Sequence, residues 1–150
     1  VILHIAAAFR LYAKNNAARP QRYQKKRDVA TNYAARTMMI SGPLLIGFIV
    51  YHLAHLTLGV SPSAFEHSDT DVYSNVVHGF SVPWVAGLYI VSMLALGNHL
   101  FHGTWSMFQT LGWNHTAYNQ RLMRVALGIT LFVTLGNISI PLAVLVGIVR

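Results

Sequence analysis

Three runs without a single Asp, Glu, Lys or Arg dominate this chain: Thr37 to Gly59, Ser81 to Gly112 and Val125 to Val149. Each exceeds the roughly 18 apolar residues that a helix needs to cross a hydrocarbon core of ~30 Å. The expected fold is therefore all-α, a transmembrane helix bundle forming a single domain over residues 1–150. Its helices are predicted at about 1–15, 35–59, 82–112 and 122–149. Pro83 suits the first turn of its helix. Pro43 lies early in its span, and Pro141 lies inside the last one, where it is expected to bend a helix that neighbours hold together.

Composition supports the same reading. Hydrophobic residues make up 54% of the 150 residues and charged residues only 10%, against about 25% charge in an average soluble domain. So few charges leave a soluble globule without a polar coat, and so much apolar matter excludes disorder. There is no cysteine, which excludes a disulfide scaffold, a thiolate zinc site and a cysteine-ligated iron–sulfur cluster in this chain.

The opening segment, Val1 to Asn15, is apolar and helical in pattern, but at ~1.5 Å per residue it reaches only ~22 Å. It reads as the second half of a spanning helix whose beginning is missing, so three full spans and half of a fourth are expected, in a piece of a longer chain.

The net charge of +7 has a topological explanation. Arg10, Lys14, Arg19, Arg22, Lys25, Lys26, Arg27 and Arg36 supply eight of the eleven basic residues, all at or between the first two helices. The Val60 to Phe80 stretch has no basic residue and holds Glu66, Asp69 and Asp71, while Arg121 and Arg124 follow the next loop. Basic, acidic, basic is the positive-inside pattern. It puts the Asn16 to Ala35 loop in the cytoplasm, Val60 to Phe80 outside and Asn114 to Gln120 inside again. The positive charge thus reports topology and contact with membrane lipid or a partner, and calls for no nucleic acid.

Eight histidines in so charge-poor a chain are the second anomaly. His4, His52, His55, His99 and His102 lie in apolar helices, where ionisable groups are costly and usually functional. Counting at ~1.5 Å per residue from inner ends at Lys14, Gly112 and Arg36, His4 is ~15 Å deep, His99 ~20 Å and His52 ~24 Å. His4 and His99 thus share a depth on different helices, and His52 lies further out. Histidines facing each other across an apolar bundle suit bis-histidine haem. Small residues, Ala6, Ala7 and Ala8, Gly47, Gly97 and Gly103, leave room for a flat macrocycle, or serve close helix packing. One shared di-metal site does not fit the different depths of His52–His55 and His99–His102.

Three stretches resemble a known family. They are His4 with Ala13-Lys-Asn-Asn-Ala-Ala-Arg-Pro20; Ser41-Gly42 with Tyr51-His52-Leu53 and the run to Gly59; and Gly97-Asn-His-Leu-Phe-His-Gly-Thr-Trp-Ser106 on to Gln109. The chain is similar, over nearly its whole length, to the di-haem cytochrome b membrane anchor of succinate:quinone oxidoreductases, the five-helix single-subunit type in respiratory complex II. The resemblance implies that the family's first helix is absent here, that His4 and His99 bind the iron of a haem nearer the dehydrogenase, and that His52 binds that of the outer haem. It implies haem b, two per complete subunit, and a membrane quinone, menaquinone, as cofactors. The implied partners are a flavoprotein subunit and an iron–sulfur subunit, docked on the basic inner loops at the cytoplasmic membrane of a bacterium or archaeon. The chain would not act on succinate; it would relay electrons to quinone and form the quinone site.

The residues leave open an anchor for another dehydrogenase or a hydrogenase, a histidine-lined transporter, and a haemless anchor. Family spacing favours His52 over His55 as ligand, with His55 near a propionate or a quinone. For the quinone itself, Trp105, Ser106 and Gln109 form an inner candidate, and Tyr73 and Glu66 with the acidic stretch an outer one. Electrons that cross the bilayer through two haems would favour the outer site.

Overall fold

The computed structural model describes residues 1–18, 33–60 and 67–150. Glu66 and the basic residues Arg19, Arg22, Lys25, Lys26 and Arg27 lie outside them. The described residues form helices and turns and no strand.

Helix α1, Ile2–Ala17, belongs to one compact unit, residues 1–31, and the remaining helices to a second, residues 32–150. At 16 residues α1 is ~24 Å long.

The second unit contains α2 (Tyr33–His52), α3 (Val72–Phe80), α4 (Pro83–Thr110) and α5 (Asn119–Leu145). Helix α2 continues into a π-helical turn, Leu53–Thr57, closed by a bond from Leu58 N–H to Leu53 C=O of 3.0 Å. Tyr33–Thr57, Pro83–Thr110 and Asn119–Leu145 are each long and apolar enough to cross a membrane. They correspond to the three uncharged runs. Pro83 opens α4 in its first turn, where a missing N–H costs nothing. Pro43 and Pro141 lie within α2 and α5, which stay helical through them.

Helix α4 is central, packing along α2 on one side and α5 on the other. Its contacts run antiparallel to both. Gly97 brings α4 and α5 together: a Cβ built there would lie 2.9 Å from Thr134 Oγ1. Gly97 is thus a packing glycine between helices. Gly47 and Gly103 face open space, with nothing within 4 Å of a built Cβ.

The distribution of side chains is that of a protein solvated by lipid. The outer faces of the spans carry Leu44, Ile49, Val50, Leu94, Phe132 and Leu135 exposed. Ser41, His55, Ser92, Thr104, Thr130 and Thr134 are buried between helices. Apolar side chains gain nothing by turning inward when the solvent is hydrocarbon, whereas Ser41 and His55 meet hydrogen-bond partners there; the hydroxyls of Thr130 and Thr134 are buried without one.

Helix α3 is the element that sequence patterning misses, because it lies within the stretch read as an outer loop. It is short, and Asp71 caps it, Oδ1 accepting from Ser74 N–H at 3.0 Å. Its buried face, Asn75, Gly79 and Phe80, packs on α4 and on the π turn.

Candidate functional site

The imidazoles of the second unit are arranged around the α2–α4 seam. Near the middle of α2, Ser41 is buried, and its Oγ lies 3.2 Å from His99 Nδ1 on α4. Ser41 Oγ also lies 3.4 Å from Met38 C=O, to which it donates. Near the end of α2, Tyr89 on α4 places its hydroxyl 3.4 Å from His52 Nδ1 and 3.0 Å from His55 Nδ1. The arrangement is reciprocal. Each helix contributes a histidine, and the other contributes the hydroxyl that meets its Nδ1.

Those contacts fix the relative levels of the two histidines. From Ser41 to His52 along α2, and from Tyr89 to His99 along α4, the rise of ~1.5 Å per residue separates them by about 15 Å. Counting from Arg36 and Gly112 as inner ends puts them only ~4 Å apart, because it takes those helix ends as flush. With Ser41 beside His99, α4 extends past the level of Arg36.

His52 and His55 occupy different surroundings although they share Tyr89. His55 is fully buried. Tyr51 stacks on its ring at 5.5 Å, and a Cβ at Gly79 of α3 would come within 2.8 Å of its Cε1 and 3.0 Å of its Nε2. That side of the ring is closed by backbone. His52 is half-buried and lines a cleft of about 370 Å³ with His67, Asp69, Asn75 and Val76 among its walls. Asn75 anchors the rim, its amide donating to Ser68 C=O at 2.8 Å and its Oδ1 accepting from Ser68 N–H at 2.9 Å. His67 Nε2 lies 3.8 Å from the exposed Asp69 carboxylate.

The other expected residues lie elsewhere. His4 is on α1, in the first unit. Trp105 and Ser106 are half-buried near the C-terminal end of α4. His102 is half-buried, and its Nδ1 is enclosed without a hydrogen-bond partner. Tyr73 is exposed and donates to Arg150 C=O at 3.0 Å. Among the described residues no three histidine or acidic side chains cluster as a metal site, so one- and two-histidine sites are the arrangements to consider.

The donor set suits haem in two respects. A ligating imidazole binds iron through one nitrogen and gives the N–H of the other to an acceptor that fixes its tautomer and plane. Ser41 and Tyr89 stand at the Nδ1 atoms of His99 and His52, so Nε2 is the atom through which either ring would bind a metal. Open space lies beside Gly103, one turn along α4 from His99. Tyr89 is absent from the sequence-based site because a tyrosine in an uncharged run reads as apolar bulk.

Long apolar helices, a hydrocarbon-facing exterior and a polar seam define an integral membrane protein of the α-helical class. Residues 13–135 match the succinate dehydrogenase/fumarate reductase transmembrane subunit family, and the chain belongs to it. Searches of curated proteins and of solved structures give no match.

Proposed function

We propose that this chain relays electrons from the iron–sulfur subunit of a succinate dehydrogenase, through b-type haem, to a membrane quinone. The observation that carries the reading is the reciprocal pairing of His52 with Tyr89 and of His99 with Ser41. Histidines that serve only to tie two helices together need no such match of Nδ1 to a hydroxyl at each of two depths. His99 would hold one haem and His52 would contribute to the second. Haem, when bound, supplies reversible one-electron carriage.

The chain's own residues do the rest. Ser41 and Tyr89 orient the imidazoles and accept their N–H protons. The apolar faces of the spans exclude water. The cleft beside His52 would take the quinone head: Val72, Val76 and Leu56 supply apolar walls, and His67, Asn75 and Asp69 supply polar groups for its two oxygens. Asp69, almost fully exposed, would exchange protons with the aqueous phase, as two-electron quinone chemistry requires. The basic stretch of sequence between α1 and α2 would receive the flavoprotein and iron–sulfur subunits on the cytoplasmic side.

A reduced-minus-oxidised absorbance spectrum of the purified membrane complex tests this reading. A low-spin b-type α-band is expected, and a transporter or haemless anchor would give none. Asp69→Asn is expected to slow succinate-driven quinone reduction while dye-linked succinate oxidation and both haem bands stay unchanged. Equal loss in both assays would remove the outer cleft from consideration.

A further inference from the structure

An imidazole that binds iron through Nε2 carries its remaining proton on Nδ1 and must donate it. For His52 the nearby acceptor is Tyr89 Oη, at 3.4 Å. A phenol oxygen with its own proton aimed at His52 could not take that bond. What lies behind Tyr89 therefore decides whether its lone pair or its proton faces His52.

Behind it is His55. Its Nδ1 lies 3.0 Å from the same oxygen, closer than that of His52. His55 has no freedom to turn away: it is fully buried, stacked on Tyr51 and closed off by Gly79. The phenol is equally constrained. Phe48 and Phe80 meet it edge-on, with centroids 5.0 and 4.7 Å away, and only 5% of Tyr89 is exposed. With Nδ1 of His55 unprotonated, Tyr89 O–H donates to His55, and the phenol oxygen keeps a lone pair for the N–H of His52. One arrangement of protons satisfies all three groups. Ser41 works the same way for His99, donating to Met38 C=O and accepting at the same oxygen.

We propose that Tyr89 and His55 are positioning residues for His52, with His55 acting only through Tyr89 by turning its O–H away and leaving its lone pair to the His52 N–H. This rests on the reading that His52 ligates haem iron. It gives His55 a role in the electron carrier without contact with iron, propionate or quinone.

The test is potentiometric titration of the haems in the assembled membrane complex, with Tyr89→Phe, His55→Leu and His55→Gln. An acceptor at Nδ1 makes the imidazole a stronger donor and favours the ferric state. Tyr89→Phe keeps the ring packing and removes the acceptor. It is expected to weaken the ferric preference of the His52 haem about tenfold, a rise of about 59 mV for one electron, with the other haem unmoved. His55→Leu is expected to shift the same haem in the same direction. His55→Gln, whose amide oxygen still accepts from Tyr89, is expected to shift it less. With Tyr89→Phe already in place, His55→Leu should add no further shift, since coupled residues are non-additive. A merely structural role would instead lower thermal stability or haem content while leaving the potential of retained haem at its wild-type value, and that result overturns the proposal. So does a His55→Leu shift as large on the Tyr89→Phe background as alone. If Tyr89→Phe loses the haem altogether, His55→Leu against His55→Gln decides, equal potentials overturning it. His52→Ala tests the underlying reading separately: retention of every haem band there would refute ligation by His52, whatever Tyr89 does.

Discussion

Gly79 of α3 lies flush against the imidazole of His55, so that a methyl group at this position would fall 2.8 Å from Cε1. Neither partner can give way, because one is backbone and the other a ring with no exposed surface. Overpacking of this kind typically costs about 1–3 kcal/mol. Gly79→Ala is expected to lower the thermal midpoint of the detergent-solubilised protein and to disturb the outer-end haem before the other. Gly47→Ala, at a position open to its surroundings, is the control and should leave the midpoint unchanged.

The α4–α5 contact makes a second, independent expectation. Gly97→Ala drives its methyl to 2.9 Å from Thr134 Oγ1 and should destabilise by about 1–3 kcal/mol. Thr134 is buried with no hydrogen-bond partner for its hydroxyl, so Thr134→Ala sheds an unpaired polar group along with one methyl. Combined with Gly97→Ala it should recover most of the loss. A double-mutant cycle on thermal unfolding measures the coupling, expected between 0.5 and about 3 kcal/mol; simple additivity would contradict the close approach.

His99→Ala is expected to remove one low-spin haem band and spare the other, and His4→Ala to remove the same band. Ser41→Ala should leave that haem bound but loosen its ligand, lowering haem affinity by roughly 10–100-fold as for other partners of ligating histidines. Haem content after detergent dialysis and the reduced α-band read these outcomes. Spectrally different losses in His4→Ala and His99→Ala would separate the two histidines.

Topology can be read directly because the chain has no cysteine. A single cysteine at Lys25 should react with a membrane-impermeant maleimide only in inside-out vesicles. One at Asp69 should react only in right-side-out vesicles. The opposite pattern would invert the orientation read from the basic residues.

Much of the architecture was legible because lipid imposes a one-dimensional signal. An uncharged run long enough to cross a bilayer has few alternatives, and all three such runs are helices. The short α3 gave no such signal. Its cue was local, Asp71 three residues ahead of the N–H that it caps, within a stretch whose acidity reads as loop. Among the site residues, His52 and His99 stood out as ionisable groups in apolar helices. Tyr89 did not, since its chemistry lies in one oxygen and its sequence context is entirely apolar. For Gly97 the sequence left room for a macrocycle and close helix packing both open, and it sits between α4 and α5, a distinction that needs the partner helix to be known. The depth count compressed the spacing of His52 and His99 because it set Arg36 and Gly112 level, and helices need not end level.

The π turn at Leu53–Thr57 begins directly after His52 and contains His55, the two imidazoles that Tyr89 joins. A turn that closes five residues back instead of four carries one residue more than the regular helix, so the helix acquires a phase jump at this point. His55 and all that follows are displaced around the axis relative to the frame set by Ser41 and His52. Side chains on the two sides of the jump can therefore be tuned separately in sequence but not in length. Loss of Leu53 or Ala54 would restore the four-residue closure ahead of His55 and carry its ring away from Gly79 and Tyr89 together.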